Sequence, residues 1–517
     1  MKKRFLPLLV FASIVCISFT GGDDEKVYLK TITKIKQEGF NNSKAMSTLF
    51  QLTDVIGPRM TGSTGMKKAE AWAKQQLEDW GLQNVQIERW GTFGKGWETQ
   101  HCYVAMTAPY YQQLIAVPKA WTPSSNGTIK ADAIVVNIET VADMAQYDGK
   151  LEGKIVVKAT NQLAMPNFSA DAKRLSDEDL CHLEEDPHVA KGVDEKSVPA
   201  TNRTVRASRQ AIDSFLYSQK AAAVLSCVRR STMGTVFTSN GASRAWDAKP
   251  VLPELEMGIE HLNRIERLLK DKKKVSLELN VQNTFLMNDS TEYNVIAEIP
   301  GTDLADEVVM LGAHMDSWHG STGTTDNGTG TVICMEAVRI LKAIGVKPRR
   351  TIRIALWSGE EQGLLGSNGY VKKHIGDRKT MKLKPEHGKI AAYYNLDNGA
   401  GKIRGIYAQG NDAVVPIFRA WLAPFKDLAA NTVTNRNTGS TDHIPFDAIG
   451  VPGFQFIQDP LEYGSRTHHT NMDSYDRVNE NDLMQASIIM ASMVYHTAMR
   501  DEMLPRKPLP KKQEEKK

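Results

Sequence analysis

Residues 308–367 hold two apolar runs separated by one amphipathic segment, an alternation that restricts this part of the chain to an α/β layout. Val308 to Gly312 predicts a buried strand, and Thr351 to Ser358, alternating Ile352, Ile354 and Leu356, predicts a second. Between them, Thr329 to Ala343 carries Val332, Met335, Val338, Ile340 and Leu341 at helical spacing. His314 and Asp316 follow the first strand, Asp326 sits in the Gly- and Thr-rich loop before the helix, and Glu360 and Glu361 follow the second strand. Open α/β sheets place their ligand crevice beyond the strand ends.

Histidine with carboxylates and no thiolate is the donor set of a catalytic zinc-type site rather than a closed structural one. A third apolar run, Ile390 to Leu396, ends at Asp397, and a fourth, Val451 to Ile457, leads to His468, His469 and Asp473. Taken singly these signals are weak: another glutamate pair, Glu184 and Glu185, reads as a solvated face. Their order after successive strands, with turn glycines between, carries the specificity.

HMDSW, the DNGTG loop, WSGEEQGLLGS, NLDNG and HTNMDS together resemble the co-catalytic zinc exopeptidases of the aminopeptidase and glutamate carboxypeptidase family. The resemblance spans nearly all of the chain after its leader. It implies an α/β fold with a mixed, mostly parallel sheet flanked by helices, and an inserted β-rich domain like the protease-associated domain. It also implies two zinc ions per subunit, with cobalt or manganese compatible with the same donors. In the family pattern His314, Asp326 and Asp397 hold one ion, and Asp326, Glu361 and His469 the other. Glu360 is the general base, Asp316 orients the His314 imidazole, and Asp473 follows His469 as the family's second aspartate does. The Asp326–Asn327 peptide is implied to be cis. His468 stands where some relatives have a tyrosine that binds the oxyanion, and Tyr463 and Trp318 are candidate pocket walls. His443, in the turn STDHIPF, is either part of the substrate pocket or a partner for local backbone groups. His319, His374 and His387 read as surface loop residues.

The expected organisation is a signal peptide (1–22), a first catalytic part (23–123), a protease-associated-like insert (124–289), a second catalytic part with the metal site (290–505) and a charged disordered tail (506–517). A basic start, MKKR, precedes the apolar FLPLLVFASIVCISFT, too short for the ~20 residues of a spanning helix. That predicts export, secreted or periplasmic, with no stable membrane span after the leader is removed. In the first catalytic part, Lys44 to Gly57 and Gly65 to Gly81 predict helices, joined by the turn-rich connector GPRMTGSTG, read as scaffold. The net charge of +4 resides in the two termini, so nothing asks for nucleic acid. Cys102, Cys181, Cys227 and Cys334 allow two disulfides in three connectivities, or, for Cys334, a buried apolar role. Asn41, Asn126, Asn167, Asn202, Asn288 and Asn327 fit the glycosylation pattern.

The expected function is hydrolysis of dipeptides or short peptides, or of longer peptides from their amino termini, with a peptide as the partner and a homodimer left open. Two readings of another class compete. One is a non-catalytic receptor on the same scaffold, which the intact set from His314 to His469 opposes. The other is glutaminyl-cyclase-like acyl transfer, which the inserted segment opposes.

Overall fold

The structure, a computed structural model, describes residues 25–160, 162–185, 207–228 and 230–510. The expected leader, Cys16 and Asn202 lie outside the described residues. The apolar runs form an eight-stranded sheet: β1 (Gln83–Thr92), β2 (Thr291–Ile299), β3 (Leu304–His314), β4 (Arg350–Trp357), β5 (Ile390–Asn395), β6 (Ile403–Tyr407), β7 (Thr432–Thr434) and β8 (Gly453–Gln458). Their order across the sheet is β1-β2-β4-β3-β5-β8-β6-β7. The central strands β4, β3, β5 and β8 pair in parallel, while β1–β2, β2–β4 and β8–β6 are antiparallel. The sheet is therefore mixed, as expected. Its central strands are covered on both faces, which is why they read as continuous apolar runs instead of alternating ones.

Five helices bear on the argument: α1 (Leu29–Asn41), α2 (Thr64–Asp79), α3 (Asp177–Glu185), α4 (Thr329–Ala343) and α5 (Glu480–Met499). Helix α2 starts where the Ser63 hydroxyl accepts from Met66 N at 3.1 Å, an N-cap of the usual kind. Helix α4 is buried on all sides from Thr329 to Leu341, packed in one core with the sheet, α1 and α5. Its one buried ion pair is fully bonded: Arg339 meets both Glu336 oxygens at 2.7 and 2.8 Å and also reaches Glu38 at 2.7 Å.

A second eight-stranded sheet includes Gly96–Ala108, Ile129–Val136, Ile155–Lys158, Ala223–Ser226, Glu254–Met257 and Ser276–Leu286, over its own core of Val104, Ile155, Leu225, Leu255 and Leu277. It begins before the boundary expected at residue 124. Gly96–Ala108 pairs along its length with Ser276–Leu286, Trp97 opposite Phe285 and Val104 opposite Leu279. The change of texture near Asn126 marks only the onset of shorter strands.

Other expectations are corrected. The disordered tail does not begin at residue 506: Arg506 donates to the carbonyls of His387 and Ile390, and Lys507 pairs with Asp447 at 2.6 Å. Residues 511–517 lie outside the described residues. The four described cysteines are free, and Cys334 is buried in α4. Asn327 is fully buried, so its glycosylation pattern is fortuitous. His374 bonds Glu88 at 2.8 Å and His387 bonds the Ile449 carbonyl at 2.9 Å, so both are fixed, half-buried groups. No helix among the described residues is long and apolar enough to cross a membrane.

Candidate active site

The strand register brings residues far apart in sequence to one point. His314 ends β3 level with Trp357 of β4, three residues before Glu360. Gly312 lies opposite Asn395 of β5, two residues before Asp397. Nε2 of His314 lies 3.4 Å from Asp326 Oδ1, 3.4 Å from Asp397 Oδ1 and 4.0 Å from Glu360 Oε2. His469, held at φ +59° in the left-handed region, brings its Nε2 to 2.8 Å from Glu361 Oε2 and 3.2 Å from Asp326 Oδ2. Asp326 thus faces both imidazoles.

The Asp326 loop is held from two sides. The Asp473 carboxylate accepts from Thr325 N at 2.7 Å and Asp326 N at 3.1 Å. Asn327 Nδ2 donates to the Leu396 carbonyl at 2.9 Å, and its Oδ1 accepts from Gly330 N at 3.0 Å. A Cβ on Gly330 would lie 2.3 Å from Asn327 Oδ1 and 2.3 Å from the Leu396 carbonyl oxygen, so the loop requires a glycine there. The Asp326–Asn327 peptide is cis.

The role expected of Asp316 is corrected. His314 Nδ1 donates to the Asp316 backbone carbonyl at 3.0 Å, whereas the carboxylate Oδ1 stands 3.6 Å away. That carboxylate instead accepts from Glu360 N at 3.2 Å, Glu361 N at 3.4 Å and the Thr61 hydroxyl at 2.9 Å. It positions the glutamate pair.

The connector read as scaffold supplies two further supports. Arg59, fully buried, donates to the carbonyls of Met315 (2.8 Å), Gly57 (3.0 Å), Thr322 (2.6 Å) and Gly323 (2.8 Å), which bracket the Asp326 loop. Burial lowers its pKa to about 10 against the opposing pull of Asp473, Asp316 and Asp326. Thr61 also accepts from Gly359 N at 2.9 Å. A lone arginine among turn residues was the only trace of this in the sequence.

Of the candidate substrate residues, His468 stacks on His469 with ring centroids 3.9 Å apart, and its Nε2 is 3.9 Å from Asp326 Oδ2. Tyr463 packs on His468 at 4.7 Å, and Trp318 lies 5.9 Å from His469. His443 is not among the converging ligand atoms: it is buried and bonds the Thr438 carbonyl at 3.1 Å, and burial pushes its pKa down to about 4. Its neighbour Asp442 is buried and accepts from the Ser367 hydroxyl; burial raises its pKa to about 7 and its charge adds to that around Glu360. His319, expected on the surface, is buried edge-on to Trp97 and donates to the Pro118 carbonyl at 2.7 Å.

The donor set fits a cation. With Nδ1 donating to a carbonyl, a neutral His314 directs its Nε2 lone pair at carboxylate oxygens, acceptor against acceptor. Asp326 Oδ2, Glu361 Oε1 and Asp397 Oδ1 are buried with no hydrogen-bond partner. Three overlapping groups of ligand atoms, from Asp326, His468 and His469, from His314, Glu360 and Asp397, and from His314, Asp326 and Glu361, each converge within 4.8 Å. Burial, with Asp326 next, pushes Glu361 up to about 7. His469 is raised to about 11: burial opposes this, but Glu361 and Asp326 prevail. A larger cavity of about 770 Å³, lined by Phe93, Trp121, Arg209 and Arg244 among others, contains none of these groups.

Residues 294–494, which include every one of these ligand-type residues, match the sequence model of Peptidase family M28. That stretch carries the M28 peptidase pattern. Carboxypeptidase Q of Mus musculus is 25% identical over 481 residues, 92% of this chain and 90% of that one. A crystal structure of an M28 precursor from Shewanella amazonensis SB2B superposes with a TM-score of 0.67 at 25% identity, covering 93% of this chain and 98% of that one. BSAP, a zinc aminopeptidase from Bacillus subtilis, shares the fold with a TM-score of 0.56 at 20% identity, covering 88% and 95% of the two chains. By class the protein is a metallo-exopeptidase.

Proposed function

We propose that this chain is an exported di-zinc exopeptidase that hydrolyses dipeptides or short peptides. His314, Asp326 and Asp397 would hold one zinc ion and Asp326, Glu361 and His469 the second, with Asp326 shared. Bound there, the ions supply a Lewis acid for the peptide carbonyl and acidify a water. The observation that carries the reading is the convergence of the Asp326, Glu361 and Asp397 carboxylates on the His314 and His469 imidazoles, each carboxylate keeping one buried oxygen without a hydrogen-bond partner.

Glu360 is the general base. Its carboxylate takes the proton of the attacking water and passes it to the leaving amine. Burial, with Asp397 and Asp442 adding and His314 opposing, holds it well above the usual carboxylate range, which suits a group that must accept a proton and give it back. Tyr463, whose ring packs on His468, is a candidate donor to the oxyanion. His468 is the second candidate donor beside it. Export rests on the basic and apolar start of the chain, and short-peptide hydrolysis on similarity to carboxypeptidase Q over 92% of its length.

The test is hydrolysis of free dipeptides, amino-terminally blocked dipeptides and aminoacyl anilides by the zinc-loaded protein and by Glu360→Ala. We expect free dipeptides to be cleaved, and Glu360→Ala to be ~10² to 10⁴-fold slower with its zinc content unchanged. Cleavage of anilides or long amino termini in preference to dipeptides would move the chain to aminopeptidase chemistry. A Glu360→Ala protein as fast as the wild type would refute the mechanism.

A further inference from the structure

The segment from Asp171 to Glu185, which includes α3, lies along the edge of the first sheet as a strap. It is tied down at many points. Arg466 Nη2 meets Asp171 Oδ2 at 2.7 Å, and Lys173 and Leu461 exchange backbone hydrogen bonds at 3.1 and 2.8 Å. Arg174 Nη1 joins Asp459 and Asp482, both at 2.8 Å. The Leu175 N–H donates to Asp459 at 2.9 Å and its carbonyl accepts from Arg404 at 2.6 Å. At the far end the Glu184 carboxylate accepts from Val433 N at 3.0 Å, the Leu183 carbonyl from the Thr434 hydroxyl, and the His182 carbonyl from Arg436 at 3.1 Å.

Between strap and sheet lies a cavity of about 610 Å³. Leu175 and Leu183 line it from the strap together with Asp179 and His182, and Tyr407, Ile457, Tyr463 and Arg436 are among the residues opposite. Both leucines are only half-buried, although the chain around them is firmly bonded. The cavity adjoins the candidate active site through Tyr463, whose ring packs on His468, and through Asn398, which follows Asp397.

We propose that the strap is a specificity element: Leu175 and Leu183 form one wall of the pocket that receives the side chain of a bulky apolar residue flanking the scissile bond. The proposal rests on the hydrolase reading above. Two leucines, an isoleucine and two tyrosines offer apolar contact to a leucine or phenylalanine side chain that an alanine cannot reach.

The experiment compares dipeptides carrying Gly, Ala, Leu or Phe on each side of the bond, using wild type, Leu183→Trp, which fills the cavity, and Leu175→Ala, which enlarges it. Wild type is expected to favour Leu or Phe over Ala by ~10- to 100-fold in kcat/KM at one position. Leu183→Trp should erase most of that preference through KM, weakening the Leu and Phe substrates far more than the Ala substrate, and Leu175→Ala should shift preference towards Phe. Melting curves of both variants confirm that they are folded. The same preference is read without turnover by calorimetric binding of the dipeptides to Glu360→Ala, alone and combined with Leu183→Trp. Binding that depends on Leu183 in a wild type without peptidase activity would refute the hydrolase reading and leave the strap's role standing. Preference unchanged in Leu183→Trp, or Ala and Phe substrates weakened equally, would overturn the strap's role.

Discussion

Asp473 holds the N–H groups of Thr325 and Asp326, so one carboxylate that itself contacts no imidazole sets where the shared acid Asp326 points. Replacing it by leucine leaves two buried donors unpaired, at about 1–3 kcal/mol each, and frees the loop. Asp473→Leu is expected to lose zinc on dialysis and ~10- to 100-fold in activity, as removal of an outer partner of a metal ligand does; metal analysis beside initial rates checks this. Zinc retained at the wild-type level would mean that the Asn327 and Arg59 bonds suffice. Arg59 belongs to the same support. Arg59→Met orphans the carbonyls of Met315, Gly57, Thr322 and Gly323, and its unfolding free energy is expected to fall by about 3 kcal/mol or more in a denaturant titration. The ligand-type residues were legible because each follows a strand. Arg59 and Thr61 were not, because most of their partners lie hundreds of residues away and are backbone groups or a distant carboxylate, which no local pattern records.

Helix α5 shows what an apolar run conceals at the level of elements. His496, buried within it, donates from Nδ1 to the Ser492 carbonyl at 2.7 Å and accepts at Nε2 from Tyr28 N, just before α1, at 3.2 Å. Only the neutral ring satisfies both bonds, and burial holds its pKa near 4. The unfolded chain, with an ordinary histidine pKa of about 6.5, takes up the proton first. Stability from this group is therefore complete above about pH 6.5 and is lost as the pH falls towards 4, by on the order of 3 kcal/mol. Unfolding curves across that range should steepen this loss in the wild type relative to His496→Gln; equal slopes would assign the acid sensitivity elsewhere. The ends of α4 agreed with its apolar spacing because the helix is enclosed on all sides, and the central strands were legible for the same reason. His319, by contrast, looks like a loop residue in sequence, and only its packing against Trp97 removes it from solvent.

The described residues are organised by two eight-stranded sheets, with the strap along the edge of the first, and the pairing between distant strands decided what the sequence left open. Gly96–Ala108 carries no mark of which sheet it joins, and its partner lies some 170 residues later, so its place in the second sheet was not legible in the sequence. The end of the chain misled in the other direction: a charged stretch reads as a tail, yet Arg506 and Lys507 fasten it to the catalytic sheet. At this scale the central claim is that two ions share Asp326. Zinc returned to the chelated protein is the direct measurement, with bound metal and dipeptide hydrolysis followed per equivalent added. Two equivalents should bind, and activity should be complete only with the second. His469→Ala should retain one, and Asp326→Asn should weaken both. One equivalent giving full activity, or Asp326→Asn matching His469→Ala in metal content, would contradict the account.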